Sequence, residues 1–209
     1  MVSLDEYKTC PCATLSIPYW KQKTVKLPEN VRIVHDSAFC AEQWRGWWDE
    51  RYFRLLHDLQ QKENSAVPEG FFLRTARRTD FSDMAKIINQ SYEEISMTEA
   101  QLEGYTRGLA YFPDGWVMAC AANGTPVGCG IADLDPEAEE GALEWIQVLP
   151  ECRRQGLGAA IVRELLRRLR NRARFATVSG RVGQPGNPEG LYRRCGFIGN
   201  DVWHILRRE

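Results

Sequence analysis

The chain has 209 residues, 27 Lys and Arg against 28 Asp and Glu, a formal net charge of −1 and 44% hydrophobic residues. That length supports one well-packed core, or one core with an attached subdomain. A near-neutral balance gives no electrostatic ground for binding nucleic acid, and no apolar run is long enough to span a membrane as a helix. Seven cysteines, an odd number spread without a framework, fit reduced thiols in a cytoplasmic protein, and Met1 to Cys10 lacks a secretory pattern. No internal repeat or low-complexity tract stands out.

In chain order, Cys10-Pro11-Cys12 with His35 and Cys40 matches no zinc-ligand spacing, so no metal is expected. Cys12 to Trp20 is apolar and irregular. Ser37 or Asp36 is positioned to cap a helix running to about Lys62, because Trp44, Trp47, Trp48, Tyr52, Leu55, Leu56 and Leu59 recur at intervals of three and four. Such a face packs onto the rest of the chain, forms a homodimer interface or walls a substrate pocket. Ser65 to Gly70, with Pro68, reads as a hinge. The expected division is thus an N-terminal extension over 1–69 and a second domain over 70–209.

In the second part, Gly70 to Thr75 reads as a strand. A helix capped by Asp80 or Thr79 carries Met84, Ile87 and Ile88, and a shorter one runs from Thr98 to Tyr105. Trp116 to Ala122 and Pro126 to Ala132 flank Asn123-Gly124, a hairpin signal. Ala142 to Val148 is the next strand, followed by a loop and a helix over Ala159 to Arg172. Phe175 to Ser179 is a strand. Asn187-Pro188 opens a last helix that Gly196 closes, and Phe197 to Leu206 completes the sheet.

The stretch that decides function is Val148 to Ala159, V-L-P-E-C-R-R-Q-G-L-G-A. A strand, a glycine-containing loop and a helix N-terminus make an anion site, where unpaired N–H groups and the helix dipole converge. A P-loop would need Lys-Ser/Thr after its last glycine, and Ala159-Ala160 stand there instead. The segment Arg153-Arg154-Gln155-Gly156-Leu157-Gly158, preceded by Val148-x-Pro150, resembles motif A of the GNAT N-acetyltransferase superfamily, Q/R-x-x-G-x-G/A. The order of elements over about 70–209 is similar to that family's as well. The resemblance implies a mixed, twisted α/β (α+β) sheet flanked by helices, here with a helical N-terminal extension. It also implies acetyl-CoA as co-substrate, with Ile146, Val148, Arg153, Arg154, Gln155, Gly156, Leu157, Gly158, Ala159 and Asn187 as the residues that hold it.

Leu191-Tyr192-Arg193-Arg194-Cys195-Gly196-Phe197 resembles the L-Y-x-x-x-G-F ending of motif B, whose tyrosine protonates the departing sulfur in many members. A thiol titrates near pKa ~8.5, so a neutral phenol meets the demand. The same spacing also suits a core aromatic. The asparagine that relatives often carry seven residues earlier is replaced by Pro185, and Asn187 reads as a helix cap. Glu144 matches a strand glutamate that removes the amine proton in histone-acetylating relatives. Strict alternation would set Glu144, Ile146 and Val148 on one face, with the Val148 N–H steadying the acetyl oxygen. A solvated carboxylate is the alternative for Glu144. Glu93, Glu94 and Tyr105 are the substrate-binding candidates, where the family's first two helices border the acceptor.

The reaction implied is direct attack by a primary amine of a small molecule or peptide on acetyl-CoA. Cys152 precedes two arginines, which would lower its pKa, but no histidine lies near in sequence, so an acyl-cysteine route is disfavoured. Glu151 to Arg174 holds eight arginines and two acids, some of them expected at coenzyme A phosphates and most on a solvated face. The acidic loop Asp133 to Glu140 points to a cationic acceptor or to a solvated turn. The alternatives of another class are a non-catalytic acyl-CoA sensor and a protein-interaction module centred on Trp44 to Tyr52.

Overall fold

The computed structural model describes residues 1–60, 66–90 and 96–208. In chain order the elements are α1 (Leu4–Thr9), α2 (Pro11–Thr14), β1 (Val31–His35), β2 (Trp48–His57), β3 (Phe71–Thr75), α3 (Phe81–Asn89), α4 (Glu99–Tyr105), β4 (Trp116–Ala121), β5 (Pro126–Asp135), β6 (Glu140–Val148), α5 (Leu157–Leu169), β7 (Phe175–Arg181), α6 (Pro188–Arg194) and β8 (Ile198–Arg207). The fold is mixed α/β, an eight-stranded sheet flanked by helices. The chain divides into two compact units, 58–176 and 1–57 with 177–209.

The 58–176 unit carries the antiparallel order β6-β5-β4-β3. On one face, Met84, Ile87 and Ile88 of α3 and Leu102 of α4 pack with Trp116, Met118, Cys129 and Ile131 of the strands. Helix α4 starts where predicted: Thr98 Oγ1 accepts the Gln101 N–H, and Gln101 Oε1 accepts the Thr98 N–H, a reciprocal cap. Asp80 does not cap α3 with its side chain. Its carboxylate takes two hydrogen bonds from Arg74, at 2.6 and 2.7 Å, and one from the Arg77 N–H at 2.6 Å.

Helix α5 covers the opposite face. A Cβ at Gly130 would stand 2.4 Å from Ile161 Cγ2, so a glycine is what lets α5 approach β5 this closely. Buried Glu164 receives Arg167 at 2.7 and 2.8 Å and Arg168 at 2.7 Å. Burial pushes that carboxyl up, and the two guanidinium groups outweigh it and hold it below the usual range. Arg168 also reaches the Asp114 carbonyl and Thr75, and so fastens the helix to the rest of its unit.

The other unit carries the order β1-β8-β2-β7. Strand β8 runs antiparallel to β1 (Ile33↔Ile205) and to β2 (Tyr52↔Trp203). The helix expected over 37–62 does not form: residues 48–57 are the strand β2, and 61–65 lie outside the described residues. The three-and-four spacing of its aromatics was coincidental. Gly46, left-handed at φ 81°, breaks the run, and the Trp-, Tyr- and Phe-bearing segment beyond it suits a pleated strand. Helical structure does occur in the N-terminal region, as α1 and α2, where no periodic pattern announced it. Fully buried Arg54 of β2 donates to Tyr7 OH at 2.8 Å, Ser179 Oγ at 3.0 Å and Thr177 Oγ1 at 3.2 Å, tying α1 and β7 to the centre of this unit. Among the described residues no helix is long and apolar enough to cross a membrane.

Candidate active site

The end of β6 and the start of α5 form one continuous piece of the 58–176 unit. Leu149 N donates to the Val127 carbonyl at 2.9 Å, which makes Gly128 and Val148 a non-hydrogen-bonded pair. The N–H and C=O of Val148 therefore point away from β5. Arg153 Nε takes that carbonyl at 2.9 Å and folds the loop back on the strand end. Arg154 and Gly156 both adopt left-handed backbone, at φ 61° and 84°, and Gly156 is the N-terminal cap residue of α5.

Ala160 N donates to Gly156 O at 3.0 Å, so the N–H groups of Leu157 and Gly158 stand ahead of the first intrahelical bond. Leu157 is buried and anchors the turn, Ala159 is the third helical residue, and Arg153, Arg154 and Gln155 are exposed. The helix begins two residues earlier than predicted. Helical N–H groups, a left-handed glycine and exposed guanidinium groups suit a pyrophosphate. Cys152 sits in this loop, and its thiol is pushed up, first by burial and then by Glu151. The expected lowering by the neighbouring arginines is not found, which makes it a poor nucleophile.

Strand β6 is not regular. Ile131 pairs with Glu144 and Cys129 with Gln147, so two steps on β5 match three on β6. The extra residue is a bulge, with Trp145 left-handed at φ 50°. The alternation expected for Glu144, Ile146 and Val148 is broken there. Glu144 and Gln147 share the face of Cys129 and Ile131, the side packed by α3 and α4, and Trp145 packs against that same cluster. Ile146 and Val148 take the α5 face; Ile146 Cδ1 lies 3.2 Å from where a Gly130 Cβ would be. Glu144, Trp145 and Gln147 are half-buried. Sequence reading missed Trp145 and Gln147 because a one-residue insertion leaves no trace in an alternation count.

Tyr105 ends α4 and is 44% exposed, whereas Glu93 and Glu94 lie outside the described residues. The acidic hairpin is a built turn: Asp135 Oδ1 accepts the N–H groups of Glu137 and Ala138, and Asp135 and Glu140 are buried. Among the described residues no group of three His, Cys, Asp or Glu side chains is placed to hold a metal ion.

Tyr192 and Asn187 belong to the unit formed by 1–57 and 177–209. Asn187 Oδ1 accepts the Gly190 N–H at 2.9 Å and caps α6, as expected. At the other end Phe197 N bonds the Tyr192 carbonyl and Gly196 N bonds the Arg193 carbonyl, with Gly196 at φ 89°. That is a Schellman motif, and its usual hydrophobic contact is Tyr192 on Phe197, with ring centroids 5.7 Å apart. Tyr192 is also 6.2 Å from Phe53 and is buried.

Compared with known proteins, the sequence matches the Acetyltransferase (GNAT) family over residues 81–197, more than half of the chain. No curated protein matches it. Among solved structures it is similar to a GCN5-related N-acetyltransferase from Sphaerobacter thermophilus (TM-score 0.74, 20% identity, covering 86% of this chain and 59% of that one). A functionally unknown conserved protein from Staphylococcus epidermidis (0.64, 13%, 100% and 82%) and a GCN5-related N-acetyltransferase from Kribbella flavida (0.61, 17%, 85% and 67%) are similar as well. At these identities the likeness is one of fold, and the chain spans under two thirds of the Sphaerobacter protein's length.

Proposed function

This chain belongs to the GNAT family of acetyltransferases, and from that premise we propose that it moves an acetyl group from acetyl-CoA onto a primary amine of a small molecule or peptide. One observation carries the reading: the left-handed loop at the head of α5 follows directly on a Val148 whose N–H is turned away from β5. The loop N–H groups with Arg153 and Arg154 hold the pyrophosphate, Ile146 and Gln155 to Ala159 frame it, and Asn187 positions the last helix. The Val148 N–H steadies negative charge developing on the acetyl oxygen. Glu144, or a water it holds, takes the amine proton, and Tyr192 hands a proton to the sulfur. Holding the two reactants in line supplies much of the rate, and no covalent enzyme intermediate is needed. Seven free thiols support a reducing, cytoplasmic setting within this reading.

The test is coenzyme A thiol release from acetyl-CoA over pools of amines, amino acids, polyamines, aminoglycosides and peptides, with wild type and Tyr192→Phe side by side. Turnover with one pool that collapses in the variant supports the reaction and the acid together. A protein with no turnover that still binds coenzyme A in calorimetry is a sensor. One observation favours an added interaction role: Trp48 is 66% exposed.

A further inference from the structure

We propose that Gln147 binds the acceptor amine, its side-chain amide oxygen accepting one N–H while Glu144 takes the proton. The proposal rests on the acetyl-transfer reading above and specifies the amine half of that site. Its basis is the bulge in β6. A tryptophan at φ 50° is strained, at a cost of about 1–3 kcal/mol, and such backbone persists only where its surroundings hold it. Here Trp145 is held against the cluster formed by α3, α4, β4 and β5.

The extra residue changes which side chains accompany Glu144. Without it, Ile146 and Val148 would share the Glu144 face, and Gln147 would be turned toward Ile161 and Leu165 of α5, where an amide finds apolar neighbours. With it, Gln147 joins Glu144 on the α3 and α4 face, one residue before the Val148 N–H. Bulges recur beside active sites because they re-aim a side chain in this way.

The chemistry suits an amide at that place. An acceptor arrives as an ammonium and must lose one proton to become nucleophilic. The neutral amine then has two N–H groups and one lone pair. An amide oxygen that accepts one N–H fixes rotation about the C–N bond and aims the lone pair, without a charge that would hold the proton on nitrogen. A single carboxylate beside one amide fits one ammonium on an alkyl chain.

The experiment takes an amine that the wild type acetylates and compares Gln147→Leu and Gln147→Glu, both close to glutamine in size. Gln147→Leu is expected to lower kcat/KM for the amine about 10- to 100-fold, with the KM for acetyl-CoA, the calorimetric affinity for coenzyme A and the melting temperature held near wild type. Gln147→Glu is expected to lower the amine KM and kcat together and to move the acid limb of the pH–rate profile to higher pH, because the added carboxylate holds the proton on nitrogen. Unchanged amine kinetics in either variant overturns the assignment. So does a loss shared equally by both substrates with a fall in melting temperature, which marks a packing role. A wild type that binds coenzyme A but acetylates no amine overturns the acetyl-transfer reading and takes Gln147 with it. That result differs from an active enzyme indifferent to Gln147.

Discussion

At the scale of single residues, Tyr192 shows how one side chain carries both an architectural and a proposed chemical role. Its ring is the hydrophobic half of the Schellman motif that ends α6. Phenylalanine keeps that ring and removes only the hydroxyl. Tyr192→Phe should leave the melting temperature within about 2 °C and lower kcat by about 10²-fold, the usual weight of one positioned acid. A fall in stability with kcat intact would assign the tyrosine to packing alone. Glu144→Gln keeps the half-buried volume and removes the proposed base. It should lower kcat by about 10²- to 10³-fold near neutral pH and flatten the acid limb of the pH–rate profile, a readout that packing does not alter. Gly156→Ala tests the proposed coenzyme A loop. A Cβ there meets only Pro68 Cγ, at 3.5 Å, but φ 84° is strained for alanine. Coenzyme A affinity in calorimetry should fall about tenfold or more, as the loop relaxes from its left-handed turn.

At the scale of elements, the Arg74–Asp80 pair joins β3 to the head of α3, and it sets a dependence on pH. The hydrogen bonds from Arg74 hold the Asp80 carboxyl below the usual range against the opposing effect of burial, and the Arg77 N–H adds to them. A depressed carboxyl contributes stability that is fully present above its unfolded value of about 3.9 and is lost as pH falls through the folded one. Melting temperature should therefore drop on acidification below about pH 4, and Glu164 adds in the same direction. Asp80→Asn should cost roughly 1–3 kcal/mol near neutral pH and blunt that acid drop. A wild-type curve matched by the variant below pH 4 and above it would show that the pair contributes nothing.

Elements also mark what could be read in the sequence. The capping box of α4, the Asn187 cap, the Asn123-Gly124 turn and the loop before α5 were legible because each is a local signal whose partners lie within a few residues. Strand β2 was not, since its three-and-four spacing of aromatics imitates a helix and only pairing with β8, some 150 residues on, decides it. Strand β1 and the bulge at Trp145 were hidden for the same reason: register against a partner is a tertiary fact. The loop at the head of α5 was therefore legible, and the face that accompanies Glu144 was not.

At the scale of the whole molecule, the unit that holds Tyr192 is made from both ends of the chain, 1–57 and 177–209. Strand β8 has β1 on one side and β2 on the other, and both come from the N-terminal segment. Trp203 of β8 donates its indole N–H to the Cys12 carbonyl at 2.8 Å, 191 residues away, and Phe53 of β2 packs against Tyr192. The stretch 70–209 thus draws its β8 neighbours from outside its own limits. Removing 1–57 would leave β8 with two bare edges and expose Tyr192, Phe197 and Leu206, which are buried in the full chain. Unpaired edges beside apolar surface drive aggregation. A chain starting at Asp58 should express as insoluble material, or as soluble aggregate in sedimentation with no cooperative melting transition. Coenzyme A should not rescue it, because a ligand stabilises by mass action only a site that folds. Supplying 1–57 as a separate polypeptide is the sharper test. Recovery of a cooperative transition in its presence would show that the N-terminal segment is part of the sheet; a soluble, cooperatively melting chain without it would show that β8 stands without either neighbour.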